Sequence, residues 1–157
     1  MIESKEISLI AISLILLIPL VMALSTLNIS LVDKNATAGS INVPVAMKVN
    51  NNDSIDLFEF TVQHPSYLIL KNVTPTSRMI NSTILWDAVN LTYTNVAGFV
   101  ESSITQGNET ILNLVFDVNS SAVSGTYDIK ILNPIFLSLN ITDELPLNIT
   151  NSSFTIL

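Results

Sequence analysis

The sequence predicts an all-β sandwich preceded by one N-terminal hydrophobic helix. Three observations carry this. A charge-free apolar run lies near the N-terminus, hydrophobicity alternates with a period of two from Leu27 onward, and turn-forming residues divide that alternation into short, evenly spaced segments.

The apolar run extends from Ile7 to Leu24, ISLIAISLILLIPLVMAL. As a helix it would span roughly 27 Å at about 1.5 Å per residue, between the core of a signal peptide and a minimal membrane span. Lys5 precedes it, flanked by Glu3 and Glu6, and Val21-Met22-Ala23 offers a small-residue cleavage site. Residues 1–25 therefore read as a signal peptide or a retained membrane anchor, with residues 26–157 as the exported domain. A helix that packs with copies of itself in a filament is the third reading of the same run.

Strands follow. Val43, Val45, Met47 and Val49 alternate with Pro44, Ala46 and Lys48, and Phe58, Phe60 and Val62 oppose Glu59, Thr61 and Gln63. Leu112, Leu114, Phe116 and Val118 alternate with Ile111, Asn113, Val115 and Asp117, while Tyr127, Ile129 and Ile131 alternate with Asp128 and Lys130. Successive strand side chains point to opposite faces, so such runs are half-buried strands. Weaker strands fit 27–33, 67–73, 83–90, 99–105, 135–139 and 154–157. Turns at Ala38-Gly39, Asn50 to Asp53, His64-Pro65, Thr74-Pro75, Gln106-Gly107-Asn108 and Ser124-Gly125 separate them. Nine or ten short strands at this spacing suit a sandwich or jelly roll.

Composition narrows the function classes. Hydrophobic residues make up 48%, enough for a core, but only 12% are charged. Asn, Ser and Thr supply the polar surface instead. There is no Cys, which removes disulfides, thiolate metal sites and thiol nucleophiles. The net charge is −7 and the five basic residues after the N-terminal run, Lys34, Lys48, Lys71, Arg78 and Lys130, are scattered, so no nucleic-acid partner is expected.

Asn-X-Ser/Thr acceptor triplets stand at Asn28, Asn35, Asn52, Asn72, Asn81, Asn90, Asn108, Asn119, Asn140, Asn148 and Asn151. With 17 Asn and 32 Ser plus Thr in the chain, random placement gives roughly three to four such triplets. Turn chemistry enriches Asn, Ser and Thr together and accounts for part of the excess; N-glycosylation is the expectation for several of the sites. Many acceptors, no Cys and an acidic Ser/Thr/Asn/Ile-rich chain suit an archaeal cell surface.

No enzyme is expected. His64 is the only histidine, Pro65 follows it, and the chain has no nucleophile elbow. A zinc site needs several His or Cys ligands. Asp53, Asp56 and Glu59 form one small acidic cluster, and Asp143 with Glu144 another. Oxygen ligands of this kind could hold Ca²⁺ or act as paired carboxylates on glycosides. Neither cluster has the spacing of a calcium loop, so solvated loop charge and no cofactor are expected. Trp86, with Tyr93 and Tyr67, could stack on a sugar, although its place in Ile84-Leu85-Trp86 argues for core packing.

The ordered series Val43-Pro44-Val45 after Ala38-Gly39, Phe58-Glu59-Phe60, His64-Pro65-Ser66-Tyr67-Leu68, Val73-Thr74-Pro75, Leu114-Val115-Phe116-Asp117-Val118 and Gly125-Thr126-Tyr127-Asp128-Ile129 resembles the cohesin domain family. The resemblance covers roughly Leu27 to Leu157. It departs from the family at Gln63-His64-Pro65, where Tyr-Asp-Pro is usual, and at Leu57, where Gly is frequent. It implies a nine-stranded jelly-roll binding module. Cohesins bind dockerins, small calcium-dependent helical domains, through one sheet face. Glu59 matches a polar position on that face, and alternation directs Thr61 and Gln63 the same way. The resemblance therefore implies a separate dockerin-like protein as partner, with polysaccharide as the other ligand that related jelly rolls take. The alternative expectation is a structural subunit of a pilus-like surface filament or surface layer, assembled through the N-terminal helix or a donated strand, whose partners are copies of itself.

Overall fold

The computed structural model describes residues 25–139 and 145–157. The helix expected over residues 7–24, the acceptor Asn140 and the pair Asp143 and Glu144 lie outside the described residues. Among the described residues no helix is long and apolar enough to cross a membrane.

The described residues form eleven strands and one 3₁₀ turn at Ser77–Met79. In chain order the strands are β1 (Leu27–Leu31), β2 (Lys34–Ala36), β3 (Val43–Asn51), β4 (Ile55–Gln63), β5 (Leu68–Pro75), β6 (Ser82–Ala88), β7 (Tyr93–Ile104), β8 (Gly107–Val118), β9 (Gly125–Leu137), β10 (Leu147–Thr150) and β11 (Ser152–Ile156). They build a five-stranded sheet, β10-β1-β3-β8-β5, and a six-stranded sheet, β2-β11-β9-β4-β7-β6.

Eleven strands stand where nine or ten are expected, and both chain ends change sheets. β1 leaves the five-stranded sheet at Val32-Asp33 and continues as β2 in the other; β10 and β11 do the same around Asn151. The two crossings run side by side, since β1 pairs in parallel with β10 and β2 with β11. The Asp33 carboxylate ties them by accepting from Ser153 N at 2.7 Å, and Asn151 Oδ1 accepts from Ile131 N of β9 at 3.0 Å.

Other boundaries differ for local reasons. β7 begins at Tyr93 rather than Phe99, because its inward residues there are Thr94, Val96 and Gly98, too small and mixed to show an apolar alternation. β9 runs through Pro134 as one strand; Asn133 takes a left-handed φ of 48°, and the pairing with β4 shifts by a residue there. A similar irregularity between Met47 and Lys48 places both Ile111 and Leu112 of β8 inward, where strict alternation puts Ile111 outside.

The core lies between the sheets. Val43, Val45, Met47 and Val49 of β3 and Leu112, Leu114, Phe116 and Val118 of β8 face Phe58, Phe60 and Val62 of β4 and Ile129, Ile131 and Phe136 of β9, all buried. Phe58 stacks on Phe60 and Phe136 with ring centroids 5.9 and 5.7 Å apart. Phe58 also stands opposite Gly98 in the β4–β7 register, and its ring covers that glycine: a Cβ at Gly98 would lie 2.1 Å from the ring.

Arg78 closes one end of the sandwich. It donates to Val49 O and Thr105 O, both at 2.7 Å, to Glu109 O at 3.3 Å and to Asn51 Oδ1, and pairs with the Glu109 carboxylate at 3.4 Å. Asn51, itself buried, donates to Asp53 O, Ile104 O and Thr105 O. Carbonyls at the ends of β3 and β7, including the buried Ile104 O and the part-buried Val49 O, thereby find partners.

His64 is buried just after β4. Its Nδ1 lies 3.3 Å from Pro65 O and its Nε2 3.3 Å from Thr94 Oγ1, an arrangement met by a neutral ring that donates through Nδ1. Burial pushes the imidazole pKa below its ordinary 6.5, outweighing the backbone hydrogen bonds that raise it.

Two outcomes follow. Gly98→Ala should destabilise the sandwich by about 2–3 kcal/mol in chemical denaturation, and Phe58→Leu should absorb much of that loss when combined with it; additive effects would mean the ring is not the obstacle. For His64, the folded state holds fewer protons than the unfolded one, so stability is complete above pH 6.5 and falls as pH drops through the lowered folded pKa. The melting temperature should decline between pH 7 and pH 5, and by less in His64→Gln; equal slopes in both proteins would refute this.

Candidate functional site

β4, β6, β7 and β9 are adjacent in the six-stranded sheet, and their inward residues fill the core. Their outward residues form a grid fixed by register. One row runs Leu137, Leu57, Phe99, Thr83; the next Ile135, Glu59, Ala97, Leu85; the third Leu132, Thr61, Asn95, Asp87; the fourth Lys130, Gln63, Tyr93.

The first two rows are apolar apart from Thr83 and Glu59. Leu85 is 68% exposed and Phe99 49%, with Leu57 and Ile135 also exposed. The short Ala97 leaves a hollow of about 190 Å³ walled by Leu57, Glu59, Thr83, Leu85 and Phe99 and floored by Phe58 and Gly98. The last two rows are polar apart from Leu132, and internally bonded. Thr61 Oγ1 donates to Asn95 Oδ1 at 2.9 Å, and Gln63 Nε2 to the Tyr93 hydroxyl at 3.0 Å. Beyond them a shallower hollow of about 300 Å³ lies among Gln63, His64, Pro65, Thr92, Tyr127, Asp128 and Lys130. The face therefore combines a flat apolar half around the Glu59 carboxylate and a polar half that presents amides, hydroxyls and the exposed Asp87 carboxylate.

Glu59, Thr61 and Gln63 all stand on this face, in one file along β4. The sequence reading missed the apolar residues around them. Leu57 shares the parity of Glu59, and that signal was available; Leu85, Phe99 and Ile135 need the register between strands to be recognised as neighbours.

The other candidates do not assemble. Asp56 is buried, accepting from Ser103 Oγ and from Leu139 N; Asp53 accepts from Ser25 Oγ, and Glu59 points to solvent. Among the described residues no group of three or more His, Asp or Glu side chains converges as a metal site would require. Trp86 is not a core residue: β6 is an edge strand, and the indole is 38% exposed. Tyr67 packs edge-on against Tyr127 at 5.8 Å and Tyr93 bonds Gln63, so the three aromatic residues do not form one stacking platform.

A family model for the cohesin domain matches residues 25–156. Solved structures of similar fold include a non-cellulosomal cohesin from the hyperthermophilic archaeon Archaeoglobus fulgidus, 16% identical over 85% of this chain and 92% of that one, with a TM-score of 0.73. The sixth cohesin of scaffoldin B from Acetivibrio cellulolyticus, solved with a Cel5 dockerin, is 20% identical over 85% of this chain and all of that one, with a TM-score of 0.71. The OlpA cohesin of Clostridium thermocellum, solved with the dockerin Doc918, is 14% identical with a TM-score of 0.73, over 85% and 100% of the two chains. No curated protein matches in sequence. At such identities the structural likeness establishes the two-sheet fold, and the family match, which spans all but the N-terminal segment and the last residue, establishes the lineage: the chain belongs to the cohesin domain family.

Proposed function

We propose that this chain is a non-catalytic receptor module displayed at the cell surface, held there by the apolar segment from Ile7 to Leu24, and that it docks a dockerin-type helical domain on the outer face of β4, β6, β7 and β9. The observation that carries this reading is the contiguous patch of Leu57, Leu85, Phe99 and Ile135 around Glu59. Apolar surface left in water favours burial by roughly 25 cal/mol per Å². A protein interface typically has an apolar centre with a polar rim, and the two halves of the grid have that character. The complementary surface is a helix with apolar residues on one side and a cation or hydroxyl opposite Glu59. Dockerins bound to the Acetivibrio and Clostridium relatives support a partner of this class.

The filament alternative keeps both of its routes: the apolar segment 7–24, and strand pairing at β2, β5, β6 and β10, the edge strands of the two sheets.

Calorimetry of the full chain against dockerin domains from its source organism, with calcium present, tests the proposal. Phe99→Asp and Glu59→Lys should each weaken binding at least thirtyfold, as central interface residues do, while Lys48→Glu on the opposite sheet should leave it unchanged. Binding that survives both substitutions, or that responds only to the third, would rule out this face.

A further inference from the structure

We propose that the chain is an acceptor of N-linked glycans, and that its acceptor asparagines are laid out so that carbohydrate covers the five-stranded sheet and the rim of the sandwich while one protein face stays bare. The layout requires export of the chain but does not depend on the dockerin-type partner.

Ten of the eleven acceptor triplets fall on described residues, and all ten asparagines are exposed. Of the six other described asparagines, Asn51 is buried and Asn113 half-buried, while Asn42, Asn50, Asn95 and Asn133 are exposed, so the layout of the acceptors says more than their exposure. Turn chemistry explains some positions: Asn90 and Asn119 cap turns, their Oδ1 atoms accepting from the backbone and hydroxyl of Thr92 and Ser121. It does not explain Asn28, Asn72, Asn108 and Asn148. These lie within β1, β5, β8 and β10, pointing outward from the five-stranded sheet. Registers place Asn148 beside Asn28 and both Asn28 and Asn108 beside Asn50, so three acceptors share one cross-strand row.

Four strands of the other sheet show the converse, while its edge strand β2 carries the exposed acceptor Asn35. Within β4, β6, β7 and β9 the only asparagines are Asn95 and Asn133, and their triplets, Asn95-Val96-Ala97 and Asn133-Pro134-Ile135, lack the hydroxyl residue. The grid of Leu57, Leu85 and Phe99 is thus the broad surface without an acceptor.

The chemistry fits the local bonding. The donor is a lipid-phosphate-linked oligosaccharide. The asparagine Nδ2 attacks its anomeric carbon, the C–N bond forms as the C–O bond to phosphate breaks, and the lipid phosphate leaves with that electron pair. One Nδ2 proton passes to a base of the transferase. The Oδ1 atom is untouched, and at Asn72 and Asn151 it is Oδ1 that accepts from Val73 N and Ile131 N. Asn148 Nδ2 donates to Asn28 Oδ1 at 3.0 Å, and a glycosylated amide keeps one N–H for that bond. The folded contacts therefore persist in the modified chain.

The test compares the full chain isolated from its source cells with the same chain made in a host without N-glycosylation. Glycopeptide mass spectrometry and hydroxyl-radical footprinting are read on both. The native chain should exceed 17.1 kDa by whole oligosaccharide masses, with sugar on members of the set Asn28, Asn72, Asn108 and Asn148. Ile69 on the five-stranded sheet should be protected severalfold relative to the unglycosylated chain, while Phe99 and Leu85 label equally in both. Unmodified asparagine at all four strand positions would overturn the proposal. So would protection of Phe99 and Leu85 equal to that of Ile69, or no protection of Ile69.

Discussion

The close approach of Phe58 to Gly98 is the contact on which the rest of this sandwich depends. Stacked on Phe60 and Phe136, the Phe58 ring occupies the space where any other residue at position 98 would place its Cβ. With the ring seated there, β4 and β7 pair without interruption from Leu57 to Gln63. A slip of one residue would turn every side chain to the opposite face. The inward aromatic contact and the outward order of Leu57, Glu59, Thr61 and Gln63 are consequently one fact, seen from the two sides of a strand.

Polar contacts do the corresponding work at the ends. Burying strand-end carbonyls without partners costs on the order of 1–3 kcal/mol each, and Arg78 with Asn51 satisfies Val49 O and Ile104 O there. The paired crossings at Asp33 and Asn151 solve a different problem. Each terminal strand serves both sheets, so the two layers are joined along one edge by backbone as well as by packing.

Legibility in the sequence followed physical strength of signal. β3, β4 and β8 alternate large apolar residues with polar ones and were recognised at nearly their full extent. The first half of β7 was not, because Gly98 lies under the Phe58 ring and Thr94 bonds His64, a tertiary reason that no local pattern contains. β2 and β10 are three and four residues long, too short for a period to register. For the candidate face, Glu59, Thr61 and Gln63 were accessible through the family resemblance and simple alternation. Leu85, Phe99 and Ile135 belong to three other strands, and only the pairing register brings them together. Trp86 misled because an apolar string suggests burial, whereas an edge strand has a side with nothing packed against it.

Ala97 carries a constraint of another kind. It sits at the centre of the bare face, two residues after the exposed Asn95. Alanine codons differ from those of serine and threonine by one base, so a single point mutation would complete an acceptor triplet there. To the fold, such a change would be almost neutral. In a cell that glycosylates this chain, it would plant an oligosaccharide in the middle of the surface that lacks one. Selection at position 97 would then act on a reaction completed outside the polypeptide's own folding, and a substitution that calorimetry of the bacterially made protein would score as silent would count as a loss of function on the cell.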